Sequence, residues 1–89
     1  MGSYRVEFKP GVEKDLQKLP KTVVVRVVKR VESLAADPRP PQAMKLSGAE
    51  RLYRLRVGDY RIIHEVEREA EKVLVHCVRH RREVYRQLP

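Results

Sequence analysis

The stretch Tyr53-Arg54-Leu55-Arg56-Val57-Gly58-Asp59-Tyr60-Arg61-Ile62-Ile63-His64-Glu65-Val66 decides the fold. Tyr53, Leu55 and Val57 alternate with Arg54 and Arg56. Beyond Gly58-Asp59, Tyr60, Ile62, His64 and Val66 alternate with Arg61, Ile63 and Glu65. Two such runs around a Gly-Asp pair predict a β-hairpin with a two-residue turn. Val57 then faces Tyr60, Arg56 faces Arg61, Leu55 faces Ile62 and Arg54 faces Ile63. Side chains alternate between the faces of a sheet, so Tyr53, Leu55, Val57, Tyr60, Ile62 and His64 share a core face. Arg54, Arg56 and Arg61 share the other. Arg56 opposite Arg61 is a repulsive cross-strand pair, and an anion bound there would relieve it. The plainer reading is a solvated face with Glu65 and Glu83 as carboxylate partners.

Downstream, Glu67 to Glu71 reads as a polar turn and Val73 to Val78 as a strand apolar on both faces. In that strand His76 and Cys77 are expected on opposite faces, unable to chelate one metal together, and the chain has no zinc spacing. Cys77 reads as a small core residue. His80, Arg81 and Arg82 close the strand and are candidates to line the groove of the hairpin arginines. Arg82 to Leu88 is expected to form a short C-terminal helix. Upstream, Tyr4, Val6 and Phe8 alternate with Arg5 and Glu7, a half-buried strand. Pro10 suits the first position of a helix, with Val12, Leu16 and Leu19 on one face. Residues 21–36 are rich in β-branched residues, but Val24, Val28, Val31 and Leu34 keep a helical period, with Val27 and Ala35 beside them. Asp37-Pro38-Arg39-Pro40-Pro41 stops that helix, and a loop anchored by Leu46 runs on to Ser47-Gly48. The expected fold class is α+β: an N-terminal strand, an antiparallel helical hairpin, three antiparallel strands and a short C-terminal helix, in a single domain over residues 1–89.

Twenty Lys and Arg against twelve Asp and Glu give a net charge of +8 on 89 residues. That balance points to a polyanionic partner, nucleic acid or acidic protein. The one cysteine excludes an intramolecular disulfide. No run approaches a membrane span, and the N-terminus lacks the apolar segment of a signal peptide, so the expectation is a cytoplasmic protein without membrane contact.

Leu19-Pro20, Asp37-Pro38-Arg39-Pro40, Lys45-Leu46-Ser47-Gly48, the hairpin from Tyr53 to Arg61, and His80-Arg81-Arg82-Glu83-Val84-Tyr85 together resemble the RelE/ParE toxin superfamily, and its RelE branch in particular. The resemblance implies the RelE-like microbial RNase fold. It implies a ribosome-dependent endonuclease that needs no cofactor or metal and contacts messenger RNA and 16S ribosomal RNA in the A site. There the 2′-hydroxyl attacks the adjacent phosphate. It implies catalytic positions at Arg56, Arg61, Arg81 and Tyr85, with Arg54, Lys45 and Arg82 holding RNA, and an acidic antitoxin as partner. Guanidinium groups suit a phosphorane transition state electrostatically. Some RelE toxins carry a lysine where Arg56 stands, proposed as general base. A guanidinium cannot readily do that work, which leaves Tyr85 or His80 as the base. The competing readings are a ParE-like gyrase inhibitor and a non-catalytic basic RNA-binding module.

Overall fold

The computed structural model describes residues 3–41, 43–46 and 51–82. Five strands form one mixed sheet: β1 (Arg5–Phe8), β2 (Met44–Lys45), β3 (Leu52–Val57), β4 (Tyr60–Glu67) and β5 (Lys72–His80). Their order across the sheet is β1-β5-β4-β3-β2. Two helices, α1 (Val12–Gln17) and α2 (Lys21–Ser33), lie between β1 and β2 in the chain. The expected C-terminal helix lies outside the described residues, apart from one helical step at Arg81 and Arg82.

The β3–β4 register is the expected one: Val57 pairs with Tyr60, Arg56 with Arg61, Leu55 with Ile62 and Arg54 with Ile63. Gly58 has φ of 58° while Asp59 does not enter positive φ. That is the pattern of a type II′ turn with glycine first, whose twist matches the strands it joins. The first and last strands pair in parallel, Arg5 with Lys72 through Phe8 with Val75. β2, within the expected loop, adds a short edge beside β3.

Both helices cover one face. Val12 of α1 and Val27 and Val31 of α2, with Leu34 beyond it, bury against Leu55, Val57, Ile62, Val73, Val75 and Val78. The fully buried positions are Val27 and Val31 of α2 and Leu34 beyond it, and Val23, Val24 and Val28 are half-buried. The buried face is thus centred on Val27, which the expected period set beside the stripe rather than in it. Helix α1 starts two residues after Pro10, with Gly11 at φ 99° as its N-cap. Pro20 takes the N-cap place of α2, where a missing N–H costs nothing. Phe8 falls on the expected face but at the end of its strand, where half of it stays exposed.

One irregularity changes which residues meet. Between the pairs Ile63–Cys77 and His64–Val75, β5 carries an extra residue, His76. Such a bulge resets the alternation. Val75 and Val78 both reach the core although three residues apart. Cys77 shares the outer face with its partner Ile63, and His76 bonds Glu65 on that same face, Nε2 to Oε1 at 2.9 Å. The expectation that His76 and Cys77 point to opposite faces assumed an unbroken strand, and the bulge overturns it. Burial pushes the Cys77 thiol pKa up, which suits a packing residue better than a nucleophile.

Candidate functional site: an arginine row across the sheet

Cross-strand pairing lines three arginines across the sheet away from the helices. Arg61 in β4 lies between Arg56 in β3 and Arg79 in β5. Paired residues share a face, so this is a row of like charge. Arg79 has an answer: its Nε lies 3.1 Å from Asp15 Oδ1. The other oxygen of Asp15 accepts the Val78 N–H at 3.1 Å. β1 ends opposite Val75, so the open edge of β5 beyond it needs an acceptor. The buried Asp15 carboxylate of α1 supplies one and holds Arg79 as well.

Arg61 and Arg56 are treated differently. Arg61 is only 8% exposed, yet among the described residues its Nη1 donates only to carbonyls, Gly58 at 3.3 Å and Tyr60 at 3.2 Å. Arg56 Nε donates to the same Gly58 oxygen at 3.2 Å. Neither makes an ion pair among the described residues. A buried cation held by carbonyls alone keeps its desolvation cost and its attraction for an anion. Glu65, a partner in the plainer reading, is engaged by His76, whose hydrogen bond holds the Glu65 carboxyl below the usual carboxylate range. Glu83, the other, lies outside the described residues.

A third guanidinium joins them from α2. A Cβ built on Gly58 would stand 3.6 Å from both terminal nitrogens of Arg26. Arg26, Arg56 and Arg61 therefore converge on one turn. Sequence reasoning missed Arg26 because nothing in α2 indicates which turn its polar face approaches. Arg81 joins through its backbone, donating its N–H to Asp59 O at 2.8 Å. Arg54 flanks the row on the same face, paired with Ile63 and with its Nη2 3.9 Å from Met44 Sδ.

Two expected members stand apart. Lys45 pairs with Tyr53, which places it on the face opposite the arginines. His80 pairs with Tyr60, again on the helix-covered side, and its ring packs edge-on against Tyr60 at 5.4 Å. His80 Nδ1 accepts the Arg82 N–H at 3.3 Å, so that lone pair is already engaged. The position of Arg82 is exposed. Tyr85 lies outside the described residues. Among the described residues no group of three or more His, Cys, Asp or Glu is placed to hold a metal ion, and no helix is long and apolar enough to cross a membrane.

The comparisons with known proteins bear on this arrangement. The family described as the ParE toxin of the type II toxin–antitoxin system parDE matches residues 6–85. The toxin of the archaeal RelE–RelB complex from Pyrococcus horikoshii is similar at 33% identity and a TM-score of 0.80, covering 89% of this chain and 96% of that one. The RelBE2 toxin–antitoxin complex of Mycobacterium tuberculosis matches at 26% identity and 0.78, covering 88% and 98%. The intact RelBE complex of Escherichia coli matches at 26% and 0.77, covering 88% and 96%. The match runs over nearly the whole chain in both sequence and shape, and the chain belongs to the RelE/ParE toxin superfamily as a RelE-type toxin of a type II toxin–antitoxin system.

Proposed function

We propose that this toxin cleaves messenger RNA in the ribosomal A site and so arrests translation. The observation that carries the reading is Arg61: a buried guanidinium, flanked by Arg56, with no carboxylate partner among the described residues. A scissile phosphate is the anion such a site suits. The 2′-hydroxyl oxygen attacks the adjacent phosphorus, the bond to the 5′-oxygen breaks, and the products are a 2′,3′-cyclic phosphate and a 5′-hydroxyl. Charge builds on the phosphorane oxygens, where fixed guanidinium groups stabilise it more than they stabilise the ground state. Arg61 and Arg81 are assigned that role, Arg56 and Arg54 the neighbouring backbone. Arg26 reaches the same turn and adds to the field.

The 2′-hydroxyl must lose a proton and the leaving 5′-oxygen must gain one. His80 faces the other side of the sheet with its Nδ1 engaged. Proton transfer is therefore assigned to Tyr85, the position that the resemblance supplies. A site without a tuned acid–base pair depends on external positioning of its substrate, which accounts for the ribosome as cofactor in all but name. A cytoplasmic site of action follows from that substrate.

An acidic antitoxin is the proposed partner, and the solved relatives include complexes of RelE with RelB. Charge complementarity with a +8 chain speeds such an association. The test is to add the protein to a translation extract and map the 3′ ends of the message. New ends inside codons on ribosome-bound message support the reading. Intact message together with lost gyrase supercoiling assigns a ParE-type activity instead.

A further inference from the structure

A cavity of about 580 Å³ opens at the opposite end of the sheet from the Gly58 turn. Arg39, Lys45, Arg51 and Arg68 line it, together with Tyr53 and the two carboxylates Glu67 and Glu69. The four cations come from four separate segments: the loop after α2, strand β2, the start of β3, and the turn between β4 and β5. We propose that this cavity is a second phosphate-binding site, which grips the sugar–phosphate backbone of RNA away from the cleavage row.

Three observations carry this. The wall is held firmly. His64 is fully buried and its ring stacks on Tyr53, centroids 5.7 Å apart at 22°. The same ring bonds Pro38 O through Nε2 at 2.9 Å, which fixes the loop that carries Arg39. Positive charge is also in excess. Four cations face two carboxylates, Glu67 and Glu69, and Glu67 is taken by Lys72 at 3.4 Å; Arg51 acts on Glu65 through its charge, and none of the four makes a salt bridge among the described residues. The location is separate as well. From Arg61 to Val66 along β4 is about 17 Å at the rise of a strand, and Tyr53 and Val66 belong to the face opposite the arginine row. One phosphate cannot serve both places. A strand of RNA with regularly spaced phosphates can. An acidic helix fits less well, since it would bring an apolar stripe and the cavity offers little beyond Tyr53, Val66 and Ala70 to receive one.

The inference rests on RNA as the partner, so the experiment must separate the two ideas. Binding of fluorescein-labelled 2′-O-methyl oligouridine, which cannot be cleaved by 2′-hydroxyl attack, is followed by anisotropy as salt is varied. The proteins are wild type, the double variant Arg51→Gln/Arg68→Gln, and Arg56→Gln on the other face, each shown folded by circular dichroism. Each phosphate no longer neutralised lowers the slope of log K against log salt by about 0.7. The double variant is expected to lose about 1.4 from the slope and to bind more weakly. Arg56→Gln is expected to lose about half as much, independently. A wild-type slope in the double variant beside a reduced slope in Arg56→Gln overturns the second site and leaves RNA binding standing. Unchanged slopes in both overturn RNA as the partner. If the double variant loses only polyglutamate binding, the cavity takes acidic peptide and the proposal is overturned.

Discussion

The two faces of β4 are built on opposite terms. Ile62, His64 and Val66 face the helices and are buried, and His64 Nδ1 is a buried side-chain nitrogen without a hydrogen-bond partner among the described residues. Arg61, one residue away, faces Arg56 and Arg79. The first face gains stability from burial at roughly 25 cal/mol per Å² of apolar area. The second loses some to like-charge repulsion and a desolvated cation. Rigidity comes from the helix-covered face and is used on the other. The contrast repeats within the row itself: Arg79 is neutralised by a carboxylate that also completes the sheet edge, and Arg61 is held by carbonyls. One arginine serves the fold, and the other is the one to which the proposed function gives an anion.

The sharpest way to break this contrast is to exchange the consequences of the two faces. Ile62→Ala should cost about 2–5 kcal/mol of stability through the lost burial and the cavity left behind, read by urea denaturation. Cleavage by the remaining folded fraction should persist. Arg61→Ala should do the reverse, lowering single-turnover cleavage on the ribosome about a hundredfold or more, the size of one lost transition-state donor. Its urea midpoint should fall little, since a repulsive pair goes with it. If Arg61→Ala unfolds the protein or cleaves at the wild-type rate, the division between the faces is wrong.

Asp15→Ala tests the neutralised end of the row. It leaves the Val78 N–H and the Arg79 guanidinium without their shared acceptor, and about 1–3 kcal/mol should be lost. The urea midpoint of Asp15→Ala against wild type is the measure, and a change of a few tenths would show that Asp15 is not an edge cap. His64 gives a gentler, pH-dependent effect. Burial holds its pKa below the usual value of 6.5, so on acidification the unfolded chain takes up the proton first. The stability that neutral His64 contributes is complete above that value and is lost as pH falls below it. The urea midpoint should therefore drop between neutral and mildly acidic pH in wild type, and less so in His64→Gln. The smallest effect is expected at His80. His80→Gln should leave the pH profile of cleavage unchanged, because the ring lies across the sheet from the arginine row. A flattened alkaline-going limb in that variant would return the general base to His80.

The hairpin was legible to the residue because its information is local. Alternation names the faces, and Gly58-Asp59 fixes the register. Three features were beyond reach because each depends on chain far away. Lys45 acquires its face from pairing with Tyr53. His76 is the extra residue of a bulge, and no apolar pattern distinguishes it from an ordinary strand position. Asp15 caps the edge of a strand 63 residues further along the chain. The site divides in the same way: Arg54, Arg56 and Arg61 follow from strand parity, whereas Arg26 arrives from a helix whose docking angle only packing decides. His80 was grouped with the arginines by nearness in sequence, and strand alternation carried it to the other face.

The parallel pairing of β1 with β5 also sets a clock. Arg5 finds its partner only when Lys72 exists, and β5 is the strand that joins the first strand to the rest of the sheet. At ordinary translation rates the interval between those two residues is roughly 3–13 s. During that time the Asp15 carboxylate has no strand edge to cap, and Arg61 is flanked by Arg56 but not yet by Arg79. Long-range closures of this kind are slow to form. The arginine row is thus completed by topology only when nearly the whole chain has been made, so the proposed cleavage would be withheld from the early stages of the toxin's own synthesis.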